Sequence, residues 1–361
     1  MSAKTQVLAR LAGTAGAGVL YMPDLTAWYA WHRDRGSLPE RWRNASLPRI
    51  AQELGVPTWT VAQPWRIETP GVNAQVDQQD TERVARFETA AGALMARWVL
   101  GPDGAWWQTE YPVKSRADLS AVLQLVRART YVVDRAAAQS LVTEVEEDGV
   151  VALELPSRPY TELMQEFLGW GEGLMLLSEE PPEVSEILEV LEEKLQALVR
   201  DLAAVPGDVL LSPDNLDGQF VSPGAFAQHL EASYRATAQS RSPGGRPLLV
   251  HAGGPIRRLL APLAAAGVSA VQGIAGPPQG DATLAQARQV AGPALTLWGG
   301  IPQELVLGTH PRHEFEQAVA QAAREAAGDA RMLLGVSDRV PADADLERLS
   351  AVPSLVAAAS R

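Results

Sequence analysis

From Asp148 to the end of the chain, short apolar runs alternate with amphipathic helical patterns, and this rhythm leaves few architectures open. Strands are expected at 150–155, 208–211, 246–250, 269–273, 294–298 and 331–334. Helices are expected between and after them, at 160–167, 182–204, 223–240, 256–266, 283–291, 302–307, 312–327 and 345–359. Strands that alternate with helices build right-handed βαβ units and a parallel sheet. Six such strands, with one or two from the N-terminal half, complete a (β/α)8 barrel of the TIM type. The rival is an open doubly wound sheet. Its dinucleotide-binding form has no support, because no Gly-x-Gly-x-x-Gly turn follows a strand.

The N-terminal half reads differently. Residues 5–12 are expected to form a short helix, and 46–54 another, with Ser46 as its cap and Gly55 as its stop. Residues 58–64 alternate as a strand. The stretches 83–89, 94–100 and 105–111 alternate with period two around an Asp103-Gly104 turn, which predicts a β-meander outside the parallel sheet. Amphipathic helices follow at 114–128 and 134–146. The expected organisation is one barrel domain over 1–361. Residues 1–147 would be an N-terminal helical and β-meander elaboration, and 148–361 the regular βα repeats. Between Tyr21 and Trp42 lie Asp24, Trp28, Trp31, His32, Arg33 and Arg35. This aromatic segment either lids a pocket or staples a helix to the barrel wall, since aromatic rings dominate core burial.

Composition removes several function classes. The chain has no cysteine, which excludes disulfides, thiolate zinc sites, iron–sulfur clusters and thiol catalysis. A formal net charge of −12 disfavours nucleic acid and anionic membrane surfaces as partners. No apolar run reaches the length of a membrane span. The first twenty residues lack a continuous apolar core before a cleavage site, so a cytoplasmic location is expected.

A parallel barrel collects its chemistry at the carboxyl ends of its strands. The residues there are Asp214 and Asn215, then His251, then Asp281, then Trp298 with Gly299-Gly300, then Ser337, Asp338 and Arg339. His251 is followed by Gly253, Gly254 and Pro255, and the glycines permit close approach of backbone or substrate. A lone imidazole at a buried strand end needs a partner. His and Asp at one rim suit zinc or another divalent ion. The same groups suit an anionic or hydroxylated substrate without a metal, and Asp and Asn also cap loops and helices. Asp217 and Ser222 read as turn or cap residues. His229, His310 and His313 read as surface or packing residues.

At these positions the chain resembles the uroporphyrinogen decarboxylase superfamily. The resemblance covers roughly 208–358, with weaker echoes at 88–92 and 111–114. It rests on Asp214-Asn215, the Ser222-Pro223-x-x-Phe226 helix start, His251-Ala252-Gly253 and Pro278-x-Gly280-Asp281. Trp298-Gly299-Gly300-Ile301-Pro302 and Leu334 to Pro341 complete it. It implies a distorted (β/α)8 barrel. It also implies one of two activities: uroporphyrinogen decarboxylation, or zinc-dependent methyl transfer with corrinoid proteins.

In the decarboxylases an arginine-rich segment near the N-terminus holds substrate carboxylates, and the corresponding stretch here is Trp31 to Gly36, with Arg33. Their pocket tyrosine falls near Gln165, beyond Tyr160, and their late histidine near Ser337. In the methyltransferases a His-x-Cys pair and a distant Cys bind zinc. His251 stands at that histidine, Gly253 at the first cysteine and Asp338 at or beside the second.

The favoured expectation is an enzyme that moves a methyl group from a small organic substrate to a corrinoid partner. His251 and Asp338 would hold a metal, with Asp214 or Asp281 as third ligand, and the metal would act as Lewis acid. The catalytic set is then Asp214, Asn215, His251, Asp281 and Asp338. Asp24, Trp28, His32, Arg33, Tyr160, Gln165, Trp298, Ser337 and Arg339 line the substrate site. Metal-free carboxy-lyase action on a tetrapyrrole or smaller carboxylate is the first alternative, with Arg33, Arg35, Arg66 or Arg339 binding carboxylates and Asp214 or Asp24 stabilising a cationic intermediate. A non-catalytic small-molecule or corrinoid-binding module is the second. A homodimer that pairs barrel mouths is implied by the resemblance alone.

Overall fold

The computed structural model describes residues 1–16, 18–101, 104–179, 181–240 and 245–359. Within them the chain forms two compact units. The first comprises residues 1–64, 135–155 and those from 205 onward; the second comprises 65–134 and 156–204.

The first unit is built on eight parallel strands: β1 (Leu20–Tyr21), β2 (Thr58–Ala62), β3 (Gly149–Glu154), β4 (Val209–Leu216), β5 (Leu248–Ala252), β6 (Ala270–Ile274), β7 (Thr296–Ile301) and β8 (Met332–Val336). Neighbours follow chain order from β2 through β8, and β8 pairs with β1, so the curled sheet is that of a TIM-type barrel. All six strands expected after residue 148 are present. The two from the N-terminal half sit at the ends of the sheet.

The strands are Val- and Leu-rich because both faces are covered. Along β3, Val150 and Ala152 enter the central core while Val151 and Leu153 are buried on the other side. The same alternation sends Val209, Leu211, Leu249, Ala270, Trp298 and Leu333 inward. No ladder joins β1 to β2 among the described residues, so the expected ring is a curled sheet whose two end strands are not hydrogen-bonded to each other. The reason is the two-residue length of β1. Inside the curl Trp59 of β2 meets Trp298 of β7 edge-on, with ring centroids 4.8 Å apart. Trp298 donates its indole N–H to the carbonyl of Met22 at 2.8 Å. Aromatic pairs of this geometry add about 0.5–1.5 kcal/mol beyond area burial.

Helix boundaries follow local chemistry. Gly13 and Gly55 end their helices with φ of 73° and 70°, left-handed values that glycine adopts without strain. Thr283 and Gln286 form a reciprocal capping box at the start of the helix Leu284–Ala291. The expected helix 223–240 is two helices, Pro223–His229 and Glu231–Ser240, divided at Leu230. Ser222 caps the first through the amide of Ala225.

The second unit holds the meander as its own antiparallel sheet: Asn73–Gln78, Glu82–Thr89, Gly92–Leu100 and Trp106–Glu110. Its first strand carries mostly polar residues with every position exposed, so hydrophobic periodicity gave no signal for it. The expected turn at Asp103-Gly104 reaches outside the described residues. A second pair joins Trp65–Glu68 to Thr130–Val133. The expected helix 160–167 is a short helix, Pro159–Glu162, that widens into a π-helix over Leu163–Leu168. Buried Arg129 pairs with buried Glu162 in this unit.

Candidate active site

Strand alternation decides which rim residues face the lumen. Continuing the inward rows of Val150 and Ala152, of Leu249, and of Ala270 brings Glu154, His251 and Gln272 to the carboxyl end of the barrel. Met22, just after β1, is inward, and Asp24 follows it in the same phase. Asp24 and Gln272 meet there: Gln272 Nε2 donates to Asp24 Oδ2 at 3.0 Å, both side chains buried. The other oxygen of Asp24 accepts from the amide of Thr26 at 3.0 Å and from its hydroxyl. Beneath this layer the Trp59–Trp298 pair fills the lumen, so the mouth is a polar cup over an apolar floor.

His251 is the centre of that cup. It ends an entirely buried strand and is itself 8 % exposed. Its Nε2 lies 3.2 Å from Oδ1 of Asp338, which sits in the loop after β8. The contact is close but off-axis, and Nε2 makes no well-aligned hydrogen bond. The loop is held so that Asp338 turns back to the imidazole. The Ser337 amide donates to the carbonyl of Ile301 at 2.7 Å, and the Ser337 hydroxyl donates to Ile274 at 2.9 Å. Asp338 itself takes a left-handed backbone, φ 66°, which an aspartate tolerates better than most residues. Arg339 Nε stands 3.4 Å from the same Oδ1, and its carbonyl accepts from Gln303 at 2.8 Å.

Two carboxyls in this cup are driven in opposite directions. Burial would raise the Asp338 carboxyl, but His251 and Arg339 beside it outweigh that and hold it below the ordinary aspartate value. For Glu154 burial dominates and pushes the carboxyl up, while Arg339 and His251 pull it back only in part.

The remaining sequence-predicted residues divide. Ser337, Arg339, Asp24 and Trp298 belong to the cup, its floor or the loop that builds it. Trp298 is 1 % exposed, so it supports the site from below and offers a substrate no open surface. Trp28 is likewise buried, packing edge-on against Trp42 at 6.1 Å and near His32. His32 bridges Ser37 and the carbonyl of Ala342 at 2.8 and 2.7 Å. This is the stapling arrangement. Arg33 pairs with its exposed neighbour Asp34. Tyr160 and Gln165 belong to the second unit.

Asp214, Asn215 and Asp281 have other tasks. Ser212 has the opposite phase to inward Leu211, and Asp214 shares its phase. Asp214 Oδ2 accepts from Ser212 at 2.7 Å and from Tyr234 of the helix Glu231–Ser240, all three fully buried. Asn215, with φ 49°, lays its amide where a Cβ on Gly253 would come within 1.8 Å of its Oδ1. The close approach that Gly253 permits is therefore made by Asn215. Asp281 Oδ1 accepts from the amides of Ile256 and Arg257 at 2.9 and 3.0 Å, capping the turn that follows β5.

The donor set does not fit the expected metal. A zinc site needs at least three protein ligands. His251 and Asp338 face each other directly, and no group of three or more His, Asp or Glu side chains among the described residues is arranged to hold a metal ion. Asp214 and Asp281, the proposed third ligands, are engaged by the partners just named. The chain has no cysteine to replace them.

Two members of the cup were missed from sequence. Glu154 was read as part of a strand, and the inward phase of Val150 and Ala152 would have singled it out. Gln272 stood inside an apolar run and carried no signal until its partner Asp24 was located.

No protein-family model matches the chain, and no curated protein does. Among solved structures it is similar to a methyltransferase from Methanosarcina mazei, with a TM-score of 0.63, 14 % identity and 99 % of each chain covered. It also aligns with a B12-independent methionine synthase from Shewanella sp. W3-18-1, at a TM-score of 0.46 and 11 % identity over 95 % of this chain and 96 % of that one. At that identity the first likeness shows a shared fold. No helix of the described residues is long and apolar enough to cross a membrane.

Proposed function

We propose that this protein is a methyltransferase-type enzyme that removes a methyl group from a small organic substrate, with a corrinoid protein as methyl acceptor. The observation that carries the reading is the His251–Asp338 pair at the carboxyl-end rim, 3.2 Å apart over a closed apolar floor. The end-to-end fold likeness to a methyltransferase supports it. The motif set from Asp214 to Pro341 supports a place near the corrinoid-linked branch of the resembling superfamily.

The residues suggest a division of labour. Asp338 orients the imidazole, and Arg339 steadies Asp338. The His251–Asp338 pair presents one polar face to the substrate, most simply to an ether or hydroxyl oxygen, since Nε2 itself is turned to Asp338 and the Asp338 side chain is the more exposed of the two. The Trp59–Trp298 floor excludes water from below, which strengthens each polar contact above it. No step is routed through a metal, because the donor set does not hold one. The carboxy-lyase alternative draws less support, since Arg33 is paired with Asp34, Arg66 with Glu68 and Arg339 with Asp338.

The test is methyl transfer from a panel of methoxylated aromatic and aliphatic compounds to reduced free cobalamin, followed by loss of the cobalt(I) absorbance. Enzyme-dependent loss with at least one donor is expected. Conversion of uroporphyrinogen to coproporphyrinogen, with no methylation from any donor, would move the chain to the carboxy-lyase branch.

A further inference from the structure

We infer that Glu154 is the proton donor of this centre, protonating the oxygen that departs when the methyl group leaves. It would supply with a proton what the resemblance assigns to a metal. This rests on the methyl-transfer reading above. The geometry begins with β3. Glu154 is its last residue, in phase with Val150 and Ala152, which are both fully buried in the barrel core. The side chain therefore enters the cup from the wall opposite the β8 loop. The charged groups that act on it are Arg339 from that loop and His251 from β5, with Asp338 behind His251.

Cleaving a methyl ether demands an acid. When the methyl carbon is taken, the carbon–oxygen bond breaks and both its electrons stay on oxygen. An unassisted alkoxide is a poor leaving group, and a Lewis acid or a proton must neutralise it. The donor set here does not hold a metal. A carboxyl that burial biases toward its protonated form, at the same barrel mouth as one biased toward its ionised form, is the arrangement that separates acid from base in a single site. The step balances as follows. The electron pair of the reduced cobalt(I) corrinoid forms the new bond to the methyl carbon. The ether oxygen takes the bond electrons and the Glu154 proton, and it leaves as a neutral alcohol. Glu154 remains as carboxylate beside Arg339 and His251 until solvent reprotonates it.

The test compares wild type with Glu154→Gln, which keeps shape and loses the proton, across methyl donors whose leaving alcohols range from weakly acidic alkanols to acidic nitrophenols. Loss for the weakly acidic donors is expected to be about 10²–10⁴-fold, the usual contribution of a positioned general acid. For the acidic phenols, which leave without protonation, the two proteins are expected to converge. A uniform loss across the series, or none, would overturn the proposal.

Carbon-13 titration of the Glu154 carboxyl in wild type separates this inference from the reading beneath it. A midpoint above the ordinary glutamate value of about 4.3 supports the proton donor even if no methyl transfer is seen. A midpoint at or below that value overturns it even if transfer is fast. Zinc titration of dialysed protein is expected to show no stoichiometric site. A stoichiometric site abolished by His251→Ala would overturn the replacement of metal by proton.

Discussion

Asp338 follows β8 and Asp214 lies near the carboxyl end of β4, and both belong to the strongest motifs of the sequence, yet they have opposite surroundings. Asp214 is fully buried on the outer side of β4 and accepts from two hydroxyls, Ser212 and Tyr234. Asp338 faces the lumen, is 28 % exposed at its side chain, holds a left-handed backbone, and meets an imidazole off-axis. A saturated, dry carboxylate fixes a helix to a sheet. A carboxylate with one close, imperfect contact and access from outside is available to organise chemistry. Residue type and strand-end position do not distinguish the two: Asp214 keeps the outward phase of its strand, whereas Asp338, out of phase with inward Leu333, is turned back to the imidazole by its loop.

The widest separation between them should appear in activity. His251→Ala is expected to lower kcat/KM for methyl transfer by about 10²–10⁴-fold, measured per folded molecule. Asp214→Ala should act on stability instead. It removes the acceptor used by two buried hydroxyls, a cost on the order of 2–4 kcal/mol in urea unfolding, with residual activity proportional to folded protein. If Asp214→Ala folds normally but is inactive, the assignment of the two aspartates is inverted. A smaller effect is expected from Asp281→Ala, about 1 kcal/mol for the lost cap on Ile256 and Arg257.

The finest test uses pH, because the two carboxyls of the cup have opposite signs. Asp338 is held below its ordinary value in the folded protein, so its stabilisation is present above about 3.9 and lost as pH falls through the folded value. The stability gap between wild type and Asp338→Asn should therefore narrow on acidification. Glu154 is held above its ordinary value, so its favourable contribution is present below about 4.3 and lost as pH rises through the folded value. Wild type should lose stability relative to Glu154→Gln on raising the pH through that window. Parallel trends for the two variants, read from unfolding midpoints at several pH values, would contradict the assigned environments.

Much of the barrel could be read in advance because its strands are buried on both faces and its helices are periodic. The six strands after residue 148 stand out as Val- and Leu-rich runs for that reason. β1 did not, since two residues carry no periodicity; only the pairing of Leu20 with Leu333 makes Leu20–Tyr21 a strand. The place of His251 followed from a strand end and a Gly-Gly-Pro turn. What it touches did not, because the 3.2 Å contact joins residues 87 positions apart through a loop whose path is set by Ser337. Asp281 and Asn215 were read as reactive groups for the same lack. Asp281 is held by a backbone turn and Asn215 fills the gap beside Gly253, placements that no spacing rule reveals. Glu154 escapes because, inside the expected strand 150–155, only the inward phase it shares with Val150 and Ala152 sets it apart.

The account depends on substrate meeting the imidazole of His251 inside the cup. Nitrogen-15 spectra of histidine-labelled protein, recorded with and without a methyl donor that supports turnover, address that contact directly. A displacement of the His251 Nε2 resonance that saturates with donor concentration, and vanishes with Asp338→Asn or weakens with it, is the predicted result. A donor that turns over while the His251 resonance stays in place would contradict the account.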